Sequence, residues 1–129
     1  MRCPSMGSIN QLLKDRASCG DLLECLFDLT STDISLFMAL SQDKQSDLDT
    51  LAGSVGKNRS TAYRSLQKLV CMGLAIKETE TIPSGGYFHT YSRVKGDSVR
   101  RIIQSRAMDI SGKIREILEN LDSDLSGVG

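Results

Sequence analysis

The sequence predicts a mainly α fold with a small β-hairpin, and three features of its pattern lead there. Apolar side chains recur at helical spacing in segments up to residue 72 and again beyond residue 96. Between those limits the period shortens to two, in runs of β-branched and aromatic residues that flank the turn Pro83-Ser84-Gly85-Gly86. Two of the helical segments are joined only by Ser54-Val55-Gly56-Lys57-Asn58, a glycine-containing link short enough to set one helix across the next. A chain of 129 residues, 40% hydrophobic and 25% charged, has the balance of a single globular domain, which excludes collagen-like, wholly disordered and membrane-spanning classes.

The elements follow in order. Residues 1–19 form an N-terminal arm in which Ile9, Leu12 and Leu13 suggest a short helix. A second helix begins near Gly20-Asp21, with Leu22, Leu23, Leu26 and Phe27 on one face. Ser31 or Thr32 is a suitable cap for the next, whose buried stripe is Ile34, Phe37, Met38 and Leu40. Gln42-Asp43-Lys44-Gln45 reads as polar loop, and Ser46 as the cap of a short helix with Leu48, Leu51, Ala52 and Val55 inward. Gly56 turns the chain at positive φ, Asn58 caps a helix over about 58–72 built on Ala62, Leu66, Leu69 and Val70, and Gly73 ends it. Leu74 and Ile76 then alternate with Ala75 and Lys77 in a hairpin over 74–94.

Gly96-Asp97 starts the last helix, with the aspartate as cap. Ile103, Ala107, Ile110, Ile114, Ile117 and Leu121 are separated there by 4, 3, 4, 3 and 4 residues, a heptad seam widened by Val99, Ile102, Met108 and Leu118. A long helix following a hairpin has little of its own domain left to cover such a stripe, so residues 96–122 are read as a dimerisation helix. Packing against residues 8–28 is the alternative. Gly112 costs up to about 1 kcal/mol relative to alanine and argues against one straight rod. Residues 123–129 read as a disordered tail.

Formal net charge is zero, but the charges are segregated. From Asp21 to Asp49 the seven acids Asp21, Glu24, Asp28, Asp33, Asp43, Asp47 and Asp49 face only Lys44. From Gly53 to Lys77 there is no acid, whereas Lys57, Arg59, Arg64, Lys68 and Lys77 all fall within that window. Cys3, Cys19, Cys25 and Cys71 have no C-x-x-C or His/Cys spacing, so no metal or other cofactor is expected; Cys25 and Cys71 read as small packing residues in a reducing compartment. Without an apolar run near membrane length or a signal-peptide pattern, the expected location is cytoplasmic, with no membrane partner. Catalysis is poorly supported. Gly53-Ser54-Val55-Gly56-Lys57-Asn58 has the wrong glycine spacing for a phosphate loop, and His89 has no evident nucleophile or metal partner.

Helix, short helix, turn, helix and hairpin together make a winged helix-turn-helix over residues 20–95, flanked by N- and C-terminal dimerisation helices. With Ala62, Leu66, Leu69 and Val70 inward, the third helix presents Arg59, Ser60, Tyr63, Arg64, Gln67 and Lys68 outward, with Thr61 at the border. Lys57 and Asn58 precede them at the helix N-terminus. Arginine pairs with guanine through two hydrogen bonds and glutamine with adenine, while hydroxyls near a helix N-terminus suit phosphates. Lys77 and Arg93 on the hairpin are candidate backbone contacts, with His89 and Lys95 nearby.

The run Asp47 to Leu69, and above all Arg59-Ser60-Thr61-Ala62-Tyr63-Arg64, resembles the DNA-binding domain of archaeal TrmB-like and MarR-like winged-helix regulators. Cys71-Met72-Gly73-Leu74-Ala75 and the upstream segment Leu22–Leu40 extend that likeness over roughly residues 20–95. The resemblance implies a homodimer on near-palindromic double-stranded DNA, usually a repressor, whose wing touches the minor groove or backbone. An unidentified small-molecule effector would lie between the domain and the dimer helices, since the sequence has no room for the sugar-binding domain of longer TrmB-like proteins. The wing tip, Ile82-Pro83-Ser84-Gly85-Gly86, carries no lysine or arginine. Together with zero net charge, that favours the rival reading, a winged-helix protein-interaction adaptor that binds no DNA.

Overall fold

The computed structural model describes residues 12–13 and 17–128. The readings placed on Cys3 and Ile9 lie outside the described residues; Leu12 and Leu13 are helical. From Cys19 onward the helices are α1 (Cys19–Phe27), α2 (Ser31–Ala39), α3 (Leu48–Val55), α4 (Arg59–Cys71), α5 (Gly96–Glu119) and α6 (Leu121–Val128). Three strands, β1 (Ser46–Asp47), β2 (Ala75–Thr81) and β3 (Tyr87–Arg93), form one antiparallel sheet in the order β1-β3-β2. Helices α2, α3 and α4 pack on one another, α3 and α4 also on the sheet, while α5 lies against α1.

Local chemistry fixes the helix ends. Helix α2 starts one residue before the expected caps, because Thr30 and Asp33 form a capping box in which Thr30 N–H donates to Asp33 Oδ2 (2.9 Å) and Asp33 N–H donates to Thr30 Oγ1 (3.1 Å). Ser18 and Asp21 do the same for α1. Helix α3 is capped by Asp47 rather than Ser46, because the two residues also pair with β3 as β1, and only the Asp47 carboxylate is aimed at Thr50 N–H (2.8 Å). That third strand was not anticipated. It pairs through its backbone, Ser46 opposite Tyr91 and Asp47 opposite Thr90, and carries no periodic apolar signal. Helix α3 ends at Gly56, whose φ of 68° lets Lys57 N–H reach Ala52 carbonyl (3.0 Å) and Gly56 N–H reach Gly53 carbonyl (3.2 Å). The turn between α3 and α4 is therefore as tight as the sequence required.

The core contains Leu23, Leu29, Leu36, Phe37, Leu40, Leu51, Ala52, Ala62, Leu66, Leu69, Leu74, Ala75, Tyr91 and Val99. Two stripe assignments need correction. Leu36 takes the buried place expected for Met38, which is 57% exposed, and Ile76 points outward from β2 while Leu74 and Ala75 are both buried. Cys71 is exposed and Cys25 only half-buried, so neither is a core residue. Helix α5 opens at Lys95 with no side-chain cap, leaving Asp97 inside its first turn, and it passes through Gly112 without a break. Beyond it α6 runs to Val128, so residues 123–128 are helical where a disordered tail over 123–129 was expected; Asp122 and Asp124 stand in the first turn of α6, where carboxylates favour a helix.

The heptad seam divides along its length. Val99 is buried and Ile102 and Ile103 pack on the core, so the first turns of α5 cover their own domain. Ile114, Ile117 and Leu121 are 53%, 49% and 41% exposed, with Met108, Leu118 and Leu125 beside them. Ala107 is exposed and Ile110 half-buried. Among the described residues, no helix is long and apolar enough to cross a membrane.

Candidate nucleic-acid interface

Helix α4 has one buried and one open face, as its sequence predicts. Ala62, Leu66 and Leu69 are fully buried, and Ser65 is 6% exposed. Arg59, Ser60, Tyr63, Arg64 and Gln67 are all exposed, so they form a row at spacings of one, three, one and three residues along the outer side. Lys57 is exposed just before the helix, and Thr61 is half-buried at its border. Asn58 is the N-cap, as its sequence predicts: its Oδ1 accepts from Thr61 N–H at 2.8 Å. The first turn of α4 contains no acid of its own.

Lys68 is turned the other way. Its Nζ donates to Asp33 Oδ2 at 2.6 Å, and the Asp33 side chain is only 3% exposed. Burial alone would raise this carboxyl, but hydrogen bonds from Lys68, Ser65 and Thr30 outweigh it and hold Asp33 below its ordinary value. Lys68, expected on the DNA face, thereby ties α4 to the start of α2. Arg93 is also used internally: its guanidinium donates to Val94 carbonyl (3.3 Å) and Gln42 Oε1 (3.4 Å), and its N–H donates to Ser41 carbonyl (3.0 Å). It anchors the base of the hairpin to the loop after α2.

Three residues of consequence escaped the sequence reading. Asp33 and Ser65 make the buried polar link just described; the Thr30-x-x-Asp33 spacing was the signal for the first of them. Asp49 on α3 pairs with Arg59 at 2.5 Å, with both side chains largely exposed (70% and 67%). An exposed pair of this kind is worth at most about 1 kcal/mol, so Arg59 is held in place without being withdrawn from other partners. Lys57 and Arg64 have no ion pair among the described residues.

The hairpin is paired from Ala75 opposite Arg93 to Thr81 opposite Tyr87. Its tip closes through Ile82 N–H to Gly86 carbonyl (3.0 Å) and Gly85 N–H to Ile82 carbonyl (2.9 Å). On the face that carries Tyr91, Lys77 places its ammonium 6.0 Å from the centre of the Tyr63 ring, which links the wing to α4. His89 is half-buried beside Thr79, its Nδ1 3.2 Å from Thr79 Oγ1. Glu78 and Glu80 also stand on β2, so the basic surface belongs to α4 and not to the hairpin as a whole. At the place expected for an effector, between α1 and α5, lies a groove of about 630 Å³ lined by Leu22, Val99, Arg100 and Ile103.

A short helix, a tight turn and an exposed basic helix beside a β-hairpin define a winged helix-turn-helix protein, the architecture of DNA-binding transcriptional regulators. The chain belongs to the TrmB family, whose model, described as sugar-specific transcriptional regulator TrmB, matches residues 23–95. It is a transcriptional regulator of this class and not an enzyme. An uncharacterized protein of Methanocaldococcus jannaschii is 23% identical over 101 residues, covering 78% of this chain and 76% of the relative. Among solved structures, a possible transcriptional regulator from Methanosarcina mazei Go1 aligns with a TM-score of 0.72 at 24% identity, over 78% of this chain and 85% of that one. A protein from the thermoacidophilic archaeon Sulfolobus tokodaii gives 0.59 at 20% identity over 73% and 92%. S. aureus MepR, solved as a DNA complex, gives 0.53 at 15% identity over 94% and 95%. At these identities the likenesses establish the shared winged-helix fold.

Proposed function

We propose that the protein is a homodimeric repressor that binds a specific double-stranded DNA site, with α4 in the major groove and the β2-β3 hairpin as wing. The observation that carries this reading is the outer row of α4. Arg64 and Gln67, exposed in the middle of the helix, are the side chains suited to reading base edges. Lys57, Ser60, Thr61 and Tyr63 cluster at the helix N-terminus, where phosphate contacts orient such a helix. Arg59 joins them from its exposed pair with Asp49, and Lys77 adds a backbone contact from the wing. Lys68 and Arg93 are left out of this set because their cationic groups are engaged within the protein, and Asn58 because its Oδ1 caps α4. MepR, which shares the fold, is itself solved as a DNA complex, and that supports DNA as the ligand.

Dimerisation is supported by the second half of the seam, where Ile114, Ile117 and Leu121 stay exposed in the single chain. A two-fold axis along this face buries the same stripe on both copies. It would set the two α4 helices about 34 Å apart, one turn of duplex. Repression is the sign of regulation that the family resemblance implies.

The test is titration of the purified protein against duplex DNA from upstream of its own gene and against a scrambled duplex, at several salt concentrations. Specific binding with a steep salt dependence is expected, each neutralised phosphate contributing about −0.9 to the log–log slope. Arg64→Ala should weaken the specific complex by about 1–3 kcal/mol while leaving scrambled binding nearly unchanged. Failure to bind either duplex would return the protein to the adaptor reading.

A further inference from the structure

A cleft of about 680 Å³ opens between the N-terminal half of α4 and the inner side of the wing. The sequence contains three tyrosines, three phenylalanines, one histidine and no tryptophan. All three tyrosines, the histidine and Phe88 line this one cleft. Tyr87, His89 and Tyr91 alternate onto the same face of β3, and Tyr63 approaches from α4. Tyr87 and His89 meet edge to face, ring centres 5.5 Å apart.

Packing accounts for Tyr91, which is 1% exposed, but not for the others: Tyr63 is 41% and Tyr87 66% exposed. The cleft is lined by acids as well as rings. Asp47 and Asp49 line it, and the one lining guanidinium, Arg59, is already paired with Asp49. Two carboxylates against one guanidinium give the lining side chains a formal charge of −1, with the Lys77 ammonium outside that lining, over Tyr63. Hydrogen bonds from Thr50 hold the Asp47 carboxyl below its ordinary value, which keeps that charge in place at neutral pH. The Lys77 ammonium over Tyr63 shows that the ring already stands in a cation's field.

We propose that this cleft is a binding site for a small planar organic cation of the amidinium or arylammonium type, stacked on the tyrosine rings with its charge toward Asp47 and Asp49. Because Arg59, Ser60 and Tyr63 line the cleft and also belong to the DNA-contacting set, an occupant excludes DNA from the recognition helix. That consequence rests on the DNA reading above; the site itself does not.

All three tyrosines line the cleft, so their isotope-labelled ring resonances report on it. The full chain is titrated with benzamidinium, neutral benzamide and benzoate. Saturable tyrosine shifts with benzamidinium are expected, much weaker ones with benzamide and none with benzoate. Tyr87→Ser and Asp49→Asn, both at exposed side chains, should each raise the benzamidinium dissociation constant about 2–5-fold. Their tyrosine spectra without probe should otherwise match the parent's, apart from the deleted ring. Equal shifts with benzamide or benzoate, or no saturable shift with benzamidinium, would overturn the proposal. In a second arm, benzamidinium should weaken DNA binding where benzoate at equal ionic strength does not; saturable binding with undiminished DNA affinity would overturn the competition. If the untreated protein bound no DNA, only the DNA reading would fall, and the tyrosine shifts would still decide the cleft.

Discussion

Replacing Lys68 by methionine separates a structural role from a DNA-binding one. The substitution keeps the length and apolar stem of the side chain and removes the ammonium that meets Asp33 at 2.6 Å. A carboxylate 3% exposed is then left without its cation. Breaking a fully buried pair costs about 3–5 kcal/mol. Here Lys68 is 41% exposed and Asp33 keeps its hydrogen bonds from Thr30 and Ser65, so the expected loss is smaller, about 1–3 kcal/mol. In urea, with a slope near 2 kcal/mol/M, the midpoint should fall by roughly 0.5–1.5 M at fixed protein concentration. The pH dependence has a definite sign. Asp33 is depressed below 3.8 in the folded chain, so its contribution is fully present above that pH and disappears as the pH falls through the folded value. Parent and variant should therefore differ most near neutrality and converge in acid. The salt slope of DNA binding should be unchanged. A variant as stable as the parent whose slope is shallower by about 0.9 would refute this assignment and return Lys68 to a phosphate.

Other substitutions probe separate parts of the account. Gly56→Ala meets no atom within 4 Å but forces a left-handed residue, so it should destabilise by about 1–2 kcal/mol in urea titrations, purely through the backbone. Gly112→Ala, also in open space but inside α5, should stabilise by about 0.5–1 kcal/mol. Ile117→Lys places like charges on both copies of the proposed interface; sedimentation should show the dimer mass of the parent reduced to that of one chain, with helical content retained.

The pattern of apolar residues was enough to read the order of elements, because each helix from α1 to α5 buries a face at its own period and Gly56 and Gly73 close α3 and α4 by the expected turn. It could not reveal β1, whose two residues pair only through the backbone, nor the exchange of Leu36 for Met38, which is set by the tertiary packing of α2 on α3 and α4. The outer row of α4 was legible because Ala62, Leu66 and Leu69 fix which side is inward. The engagement of Lys68 and Arg93 was not, since a charge reads the same in sequence whether its partner is a phosphate or a side chain 35 residues away, as for Lys68; Asn58 was legible as the cap of α4. The aromatic cleft was hidden for a similar reason: Tyr63 and Tyr87 are distant in sequence and meet only when the wing folds over α4.

The measurement closest to the central claim is selection of bound duplexes from a random pool, followed by footprinting of the enriched sequence. The account predicts two inverted half-sites with centres about 10 base pairs apart, protected on one face of the duplex, and an altered base preference within each half when Arg64→Ala is used. Enrichment of no sequence, or of one that Arg64→Ala selects unchanged, would contradict it.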